Sequence, residues 1–348
     1  MTAPAVVNVA PEAPPALLKP RYQRERSSKG LRPKKSHCHP RQDGGQEDGS
    51  VLFIGTATTV IEWEGVRILT DPNFLHSGDH VHLGPGVSAT RRTDPAVDLH
   101  ELPPVHVVLL SHYHEDHFDK KVEESLDRAF PIITTKHGRE CLTSSAKPDP
   151  FRNVQDLDPF ESLDLRIRGL HENEDGEVPT VRVTGMPGKH VPPGPISVAN
   201  DLLQAVPPTN GWVLELGRTS PSSGEGGRNM KTGYRIYITG DTLFVDELRK
   251  IPEWLQNEKI DLMLIHLGGT TIPGPSLPLV MVTMDAKQGM QVRDLVDPDV
   301  TIPIHYDDYD VFLSPLEDFK KEARNRGLED RVVYLDRGEE YRFTVEKK

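Results

Sequence analysis

The stretch Ser111-His112-Tyr113-His114-Glu115-Asp116-His117-Phe118-Asp119 constrains this chain more than any other part of it. It follows residues 105–110, a β-branched run between Pro104 and Ser111 that reads as a buried strand. Three histidines and an aspartate at H-x-H-x-D-H spacing put imidazoles and a carboxylate on one side of the turn that leaves this strand. Imidazole nitrogen and carboxylate oxygen suit zinc, manganese or iron, and the motif offers more ligands than one tetrahedral site accepts. Two ions are therefore expected, and they need ligands from elsewhere in the chain. Whatever fold forms has to bring other strand ends to this turn.

Three residues qualify, each closely following an expected strand. His190 follows 181–184 through Gly185-Met186-Pro187-Gly188-Lys189, and Asp241 follows 234–239 in Thr239-Gly240-Asp241-Thr242. His305 ends the run Thr301-Ile302-Pro303-Ile304-His305, after the expected strand 300–304. Gly240 would let the backbone approach a metal closely. The chain holds fifteen histidines, more than an ordinary structural role demands. Other short apolar runs, parted by Gly, Pro and Asp turns, read as strands at 51–54, 58–63, 66–70, 131–135, 165–169, 212–216, 262–266, 331–335 and 341–345. Helices are expected at 120–129, 244–256, 284–296 and 315–326. Many strands with few helices predict an α/β fold of two sheets covered by helices, an αββα sandwich, in one domain over 46–348.

Residues 1–45 stand apart. The first 42 carry nine Lys or Arg and two Glu, a net of +7, whereas the remainder nets −19. The segment is rich in Pro and Ala and has no hydrophobic period, so it reads as a disordered basic tail. Prolines at 4, 11, 14 and 15 spoil a secretory or mitochondrial signal, and no apolar run of about 18 residues predicts a membrane span. Two cysteines, Cys38 and Cys141, suit a reducing compartment, and a cytoplasmic location is expected. His37-Cys38-His39 has the look of a metal clip but lies in the tail without a fourth partner. The net charge of −12 argues against nucleic acid as a partner.

The order H-x-H-x-D-H, His190, Gly240-Asp241, His305 resembles that of the metallo-β-lactamase superfamily, over about residues 51–345. Leu69-Thr70-Asp71-Pro72, after Gly55-Thr56-Ala57-Thr58, is similar to the branch containing ascorbate-6-phosphate lactonase and N-acyl phosphatidylethanolamine phospholipase D. Asp241 stands where true β-lactamases carry a cysteine ligand, so antibiotic hydrolysis is a poor expectation. The resemblance implies a metal-dependent hydrolase with two divalent cations, zinc ahead of manganese or iron. It puts His112, His114 and His190 on the first ion, Asp116, His117 and His305 on the second, and Asp241 across both. Two cations sharing a water lower its pKa, so a metal-bridging hydroxide exists at neutral pH and attacks carbon or phosphorus. Asp116 can carry a proton to the leaving group, which with the bridging Asp241 gives two catalytic candidates. His266, before Gly268-Gly269, is a third, as proton donor or substrate contact, with a core histidine as the alternative. Asp71 either accepts the free N–H of a ligating imidazole or caps the amides of a buried turn.

Two long apolar loops, 191–211 with Leu202 and Leu203, and 270–284, are expected to frame the pocket. No cluster of Lys and Arg accompanies them. A small molecule carrying a lactone or lactam is therefore the expected substrate. A phosphodiesterase acting on a phospholipid or nucleotide, and a non-catalytic metal-binding module, are the alternatives. His76, His80 and His82 follow Asp71 in a loop that could reach the site, although polar surface histidines are the plainer reading.

Overall fold

The computed structural model describes residues 4–23, 32–41, 44–83, 87–169, 176–194, 200, 206–220, 230–274 and 277–346. Strands are numbered in chain order. One sheet has seven strands in the order β1 (Ala5–Val9), β11 (Ser162–Ile167), β12 (Val178–Pro187), β13 (Asn210–Thr219), β14 (Met230–Ile238), β15 (Leu262–His266) and β18 (Val300–Ile304). The other has eight, β10 (Val154–Asp156), β9 (Ile132–Thr134), β8 (Val107–Leu109), β5 (Val66–Thr70), β4 (Thr58–Trp63), β3 (Gly49–Gly55), β19 (Glu340–Phe343) and β2 (Ser36–His37). Two ribbons sit beside them, β6 (His80–His82) with β7 (Ser88–Thr90) and β16 (Thr271–Gly274) with β17 (Leu277–Met281).

Strands with apolar residues at successive positions need cover on both faces, and the layers supply it. In β15, Leu262 and Leu264 enter the core between the sheets, where Trp212, Leu214, Phe53 and Ile61 also meet. The alternate residues Met263 and Ile265 point the other way. There they pack under α3 (Lys250–Leu255), α4 (Ala286–Val296) and α5 (Leu316–Asn325), through Ile251, Met290 and Phe319. The second sheet does the same. Val51 and Phe53 face inward, while Leu52 and Ile54 join Val122 of α1 (Lys120–Ser125) and Leu142 of α2 (Lys136–Leu142) outside. The result is the expected αββα sandwich.

The expectations for the first segment and for residues 331–335 are corrected, and a helix outside those expected is present. The segment read as a disordered tail is ordered where it is described. Val7 of β1 pairs in parallel with Leu165, Leu17 and Leu18 are buried, and Ser36–His37 pairs with β19. Composition averaged over 45 residues hides a β-prone Ala5-Val6-Val7-Asn8-Val9 and an apolar pair whose partners lie far along the chain. The expected strand at 331–335 reduces to one bridge, Thr301 with Val332, after a 3-10 turn at Glu329–Arg331. Helix α2 was not foreseen, because Gly138 in its first turn weakens the helical signal. That glycine is forced by packing, since a Cβ there would lie 2.4 Å from Thr134 Oγ1. The His37-Cys38-His39 imidazoles make ordinary contacts, to Glu339 at 2.7 Å and Asp299 at 3.1 Å.

Candidate metal centre

Six chain positions converge at the carboxyl ends of strands: Asp71 after β5, the H-x-H-x-D-H turn after β8, His190 after β12, Asp241 after β14, His266 ending β15, and His305 after β18. Local hydrogen bonds explain how each is aimed. Asp71 Oδ1 accepts the Ser111 amide at 2.7 Å, which joins the ends of β5 and β8. Asn73 Nδ2 donates to the Asp116 carbonyl at 2.9 Å and holds the turn's backbone. Asp119, last in the motif, caps α1 by accepting from Val122 N at 2.8 Å. Gly240 has φ +60°, and a Cβ there would meet the Asn210 carbonyl at 2.3 Å, so the approach it permits is to a neighbouring strand rather than to a metal. Asp71 and His305 also adopt left-handed φ, +36° and +59°, a cost the surrounding bonds sustain.

The ligand-type atoms fall into overlapping groups: His112 with His190 and Asp241, His112 with His114 and Asp116, and Asp116 with His117, Asp241 and His305. All seven residues singled out from the motif order are thus in one cluster. The hydrogen bonds fix which nitrogens face inward. His190 Nδ1 donates to the Val282 carbonyl at 2.8 Å, and His305 Nδ1 to the Leu267 carbonyl at 2.9 Å. His112 Nδ1 lies 2.9 Å from Ser111 Oγ, and His117 Nδ1 lies 3.2 Å from Asp71 Oδ2. Each ring is left with Nε2 turned into the cluster. His112 and His190 face each other Nε2 to Nε2 at 3.1 Å, so without a cation one ring must donate to the other, whereas a cation between them takes both lone pairs. His114 Nε2, His117 Nε2, His305 Nε2 and Asp241 Oδ1 are buried without a hydrogen-bond partner. Each such atom costs about 1–3 kcal/mol if left unmet, so packing alone does not account for four in one place. Imidazole nitrogens with carboxylate oxygens are a donor set for divalent transition metals.

Electrostatics agree. Burial, then the neighbouring rings of His117 and His190, hold His112 well below the ordinary imidazole range, and burial takes His190 to about 4, so both rings are neutral, as ligation requires. Burial alone would push Asp116 and Asp241 up. The facing imidazoles, His114 and His117 for the first and His305 and His117 for the second, outweigh it and hold both well below the carboxylate range. His117 shows the reverse balance, with burial lowering its value but Asp241, Asp116 and Asp71 raising it well above. Three buried carboxylates thus create a demand for positive charge.

Several residues the sequence reading passed over support the site. Arg91, wholly buried, pairs with Asp308 at 2.9 Å and bonds Thr56 Oγ1 and Asn73 Oδ1. Thr56, with φ +52°, accepts the His305 amide at 2.9 Å. Thr283 Oγ1 donates to Asp241 Oδ2 at 3.1 Å. The Thr56 loop, Gly55-Thr56-Ala57-Thr58, and the 270–284 loop that holds Thr283 carried a signal in the sequence; Arg91 and Asp308 lie in unremarkable polar stretches. His266 is brought to the site but stands behind it, wholly buried, its ring centroid 5.9 Å from that of His117 and 5.7 Å from that of His305.

Over the cluster lies a small chamber walled by Leu83, Val87, Val206 and Val282, with Thr270 and Thr283. A larger cleft of about 580 Å³ opens beside His190, bordered by Lys136, Glu140, Lys189 and Pro207. Leu202 and Leu203, expected to line the pocket, lie outside the described residues, as do 195–199 of the same loop.

A family model described as a beta-lactamase superfamily domain matches residues 66–306, the span that carries the whole cluster. The chain belongs to the beta-lactamase superfamily. Among curated relatives of this superfamily member is a UPF0173 metal-dependent hydrolase of Nanoarchaeum equitans, 24% identical over 247 residues, 71% of this chain and 89% of that one. Another, from Cupriavidus metallidurans, is 25% identical over 307 residues, 84% of each chain. Two solved structures share the metallo-β-lactamase fold at 18% identity. An isothiocyanate hydrolase from Delia radicum gut bacteria superposes with a TM-score of 0.62, covering 85% of this chain and 99% of that one. A possible metal-dependent hydrolase from Veillonella parvula gives 0.61, covering 84% and 98%. Among the described residues, no helix of this superfamily member is long and apolar enough to cross a membrane.

Proposed function

We propose that this metallo-β-lactamase-fold hydrolase binds two divalent cations, zinc first among the candidates, and opens a lactone or lactam of a small molecule in the cytoplasm. The observation that carries the metal reading is the inward convergence of the unpartnered His114, His117 and His305 Nε2 and Asp241 Oδ1, beside the His112 and His190 Nε2 atoms that meet at 3.1 Å. In the residue roles we assign, His112, His114 and His190 would hold one ion, Asp116, His117 and His305 the other, and Asp241 would serve both. Bound there, the cations supply a water acidified to near neutral pH and polarise the oxygen that gains charge.

The chain's own groups do the rest. Asp116, 6% exposed and with Oδ1 2.8 Å from His114 Nδ1, faces the chamber and is the group placed to pass a proton to the leaving atom. Thr283 fixes the Asp241 carboxylate. The apolar wall of Leu83, Val87, Val206 and Val282 excludes water and favours a neutral reacting group. No Lys or Arg borders this chamber among the described residues, which favours a carbonyl over a phosphodiester that is already anionic before it reacts. The cleft beside His190 leaves room for the remainder of a substrate.

Two measurements test this. Elemental analysis of protein expressed with ample metal should give close to two ions per chain, and one or none would end the two-ion reading. A panel of lactones, lactams and bis(4-nitrophenyl) phosphate should then show faster turnover of the cyclic carbonyl compounds. Preference for the phosphodiester would move the substrate class and leave the metal site intact.

A further inference from the structure

We infer that His266 is a positioning residue: through Asp71 it fixes the ring of His117, and so sets the affinity of the ion that His117 holds. The inference rests on the metal reading above. Asp71 is the hub. Its Oδ1 is tied to the Ser111 amide at 2.7 Å, and its Oδ2 lies 3.2 Å from His117 Nδ1 and 3.7 Å from His266 Nε2. The last distance is too long for a hydrogen bond, yet His266 Nε2 is buried with no other partner and faces that oxygen. A polar ring wholly buried with an unmet nitrogen is costly, and an apolar side chain would fill the space without that cost. Its presence is explained by the carboxylate it faces.

The backbone of His266 is held as tightly. Its amide donates to Thr239 Oγ1 at 2.9 Å, and that hydroxyl donates to the Gly240 carbonyl at 3.0 Å, next to Asp241. On the other side His266 pairs with Ile304, the residue before His305. The ring therefore stands between the strand ends that deliver Asp241 and His305, and it reaches across to the carboxylate that orients His117. Asp71, left-handed at φ +36°, needs such restraint to keep its aim. A ligating imidazole is directed by the acceptor on its other nitrogen, and loss of such an acceptor typically weakens metal binding about 10–100-fold. His266 supports that acceptor in turn. Wholly buried and absent from the chamber wall, it does not touch substrate.

Metal-free protein is titrated with zinc against a chromophoric chelator. His266→Leu should weaken one of the two binding steps about 10–100-fold and spare the other. His266→Gln, which keeps an N–H able to face Asp71, should recover most of the loss. Asp71→Asn should reproduce the loss, and the double variant should add little to it. Unchanged affinities in His266→Leu would overturn the inference, as would additive losses in the double variant. So would altered shape in the kcat–pH profile of fully loaded His266→Gln, which would make His266 a proton donor. Three ions in the unaltered protein would place an ion between Asp71, His117 and His266 and overturn it too. If only one ion binds, the two-ion reading fails by itself, and the effect of His266→Leu on that single affinity still decides the matter. Should His266→Leu not fold, the Gln and Asn variants carry the test.

Discussion

At the scale of single residues, the site is a set of side chains each aimed by one bond and left with one free atom. Asp241 shows the economy of this arrangement. Thr283 takes one of its oxygens at 3.1 Å, while the other is buried without a hydrogen bond, 3.6 Å from His305 Nδ1. Asp241→Ala should therefore lower kcat/KM by at least a factor of about 10³, more than the loss of a single stabilising hydrogen-bond donor. The metal-free melting temperature should fall as well, with the fold kept, because Asp241 also faces His117 Nε2 at 3.3 Å and His305 Nδ1 at 3.6 Å. Activity assays beside thermal melts of chelated protein check both halves, and near-full activity in the variant would remove Asp241 from the centre. Much at this scale was legible: the motif spacing, His190, Asp241 and His305 all pointed to one place. Arg91 and Asp308 were not, since an ion pair 217 positions apart leaves no local pattern.

At the scale of elements, strand ends matter more than strands. The ligand-bearing turns follow β8, β12, β14 and β18, and the runs that form these strands are apolar because both of their faces are covered. The first strand is a different case. It adds to the edge of the seven-stranded sheet beside β11, and the Leu17-Leu18 pair that follows packs against Leu126 and its neighbours. Burying two leucines stabilises by roughly 3–6 kcal/mol in all. Removing residues 1–23 should then lower the melting temperature by roughly 5–10 °C. Turnover per folded molecule should persist, because none of the proposed ligands lies there. An unchanged melting temperature would mean that this segment contributes nothing to the fold. Short strands such as β1 escape sequence reading because a five-residue apolar run inside a Pro-rich segment has the composition of an unfolded one.

At the scale of the whole molecule, a buried ion network ties the segment after β18 to both the site and the chain's last strand region. Asp308 accepts from Thr56 N at 2.8 Å and pairs with Arg91 and Arg337, each at 2.9 Å. Burial would raise its pKa, but the two guanidinium groups outweigh that and hold it below the ordinary carboxylate value. A folded-state value below the unfolded one near 3.9 adds stability that is complete above about pH 4 and is lost as pH falls through the folded value. The difference in urea unfolding midpoint between the unaltered protein and Asp308→Asn should thus be level from pH 7 to about 5 and shrink below about 4. Asp308→Asn should be less stable at pH 7 and show a shallower acid fall; an equally steep fall would assign the acid sensitivity to other groups.

The sequence by itself determined the layered sheets and the ligand types, because period, turn residues and metal-ligand spacing are local properties of a chain. It also determined that more than one strand end must meet. Only the tertiary structure decided which nitrogen of each histidine faces inward, since that depends on acceptors such as the Val282 and Leu267 carbonyls. It alone set His266 behind the ligands, folded the first strand onto the sheet edge, and brought Lys136 to the cleft that Lys189 and His190 border. Such contacts join residues far apart in the chain, and nothing in either local segment records the other.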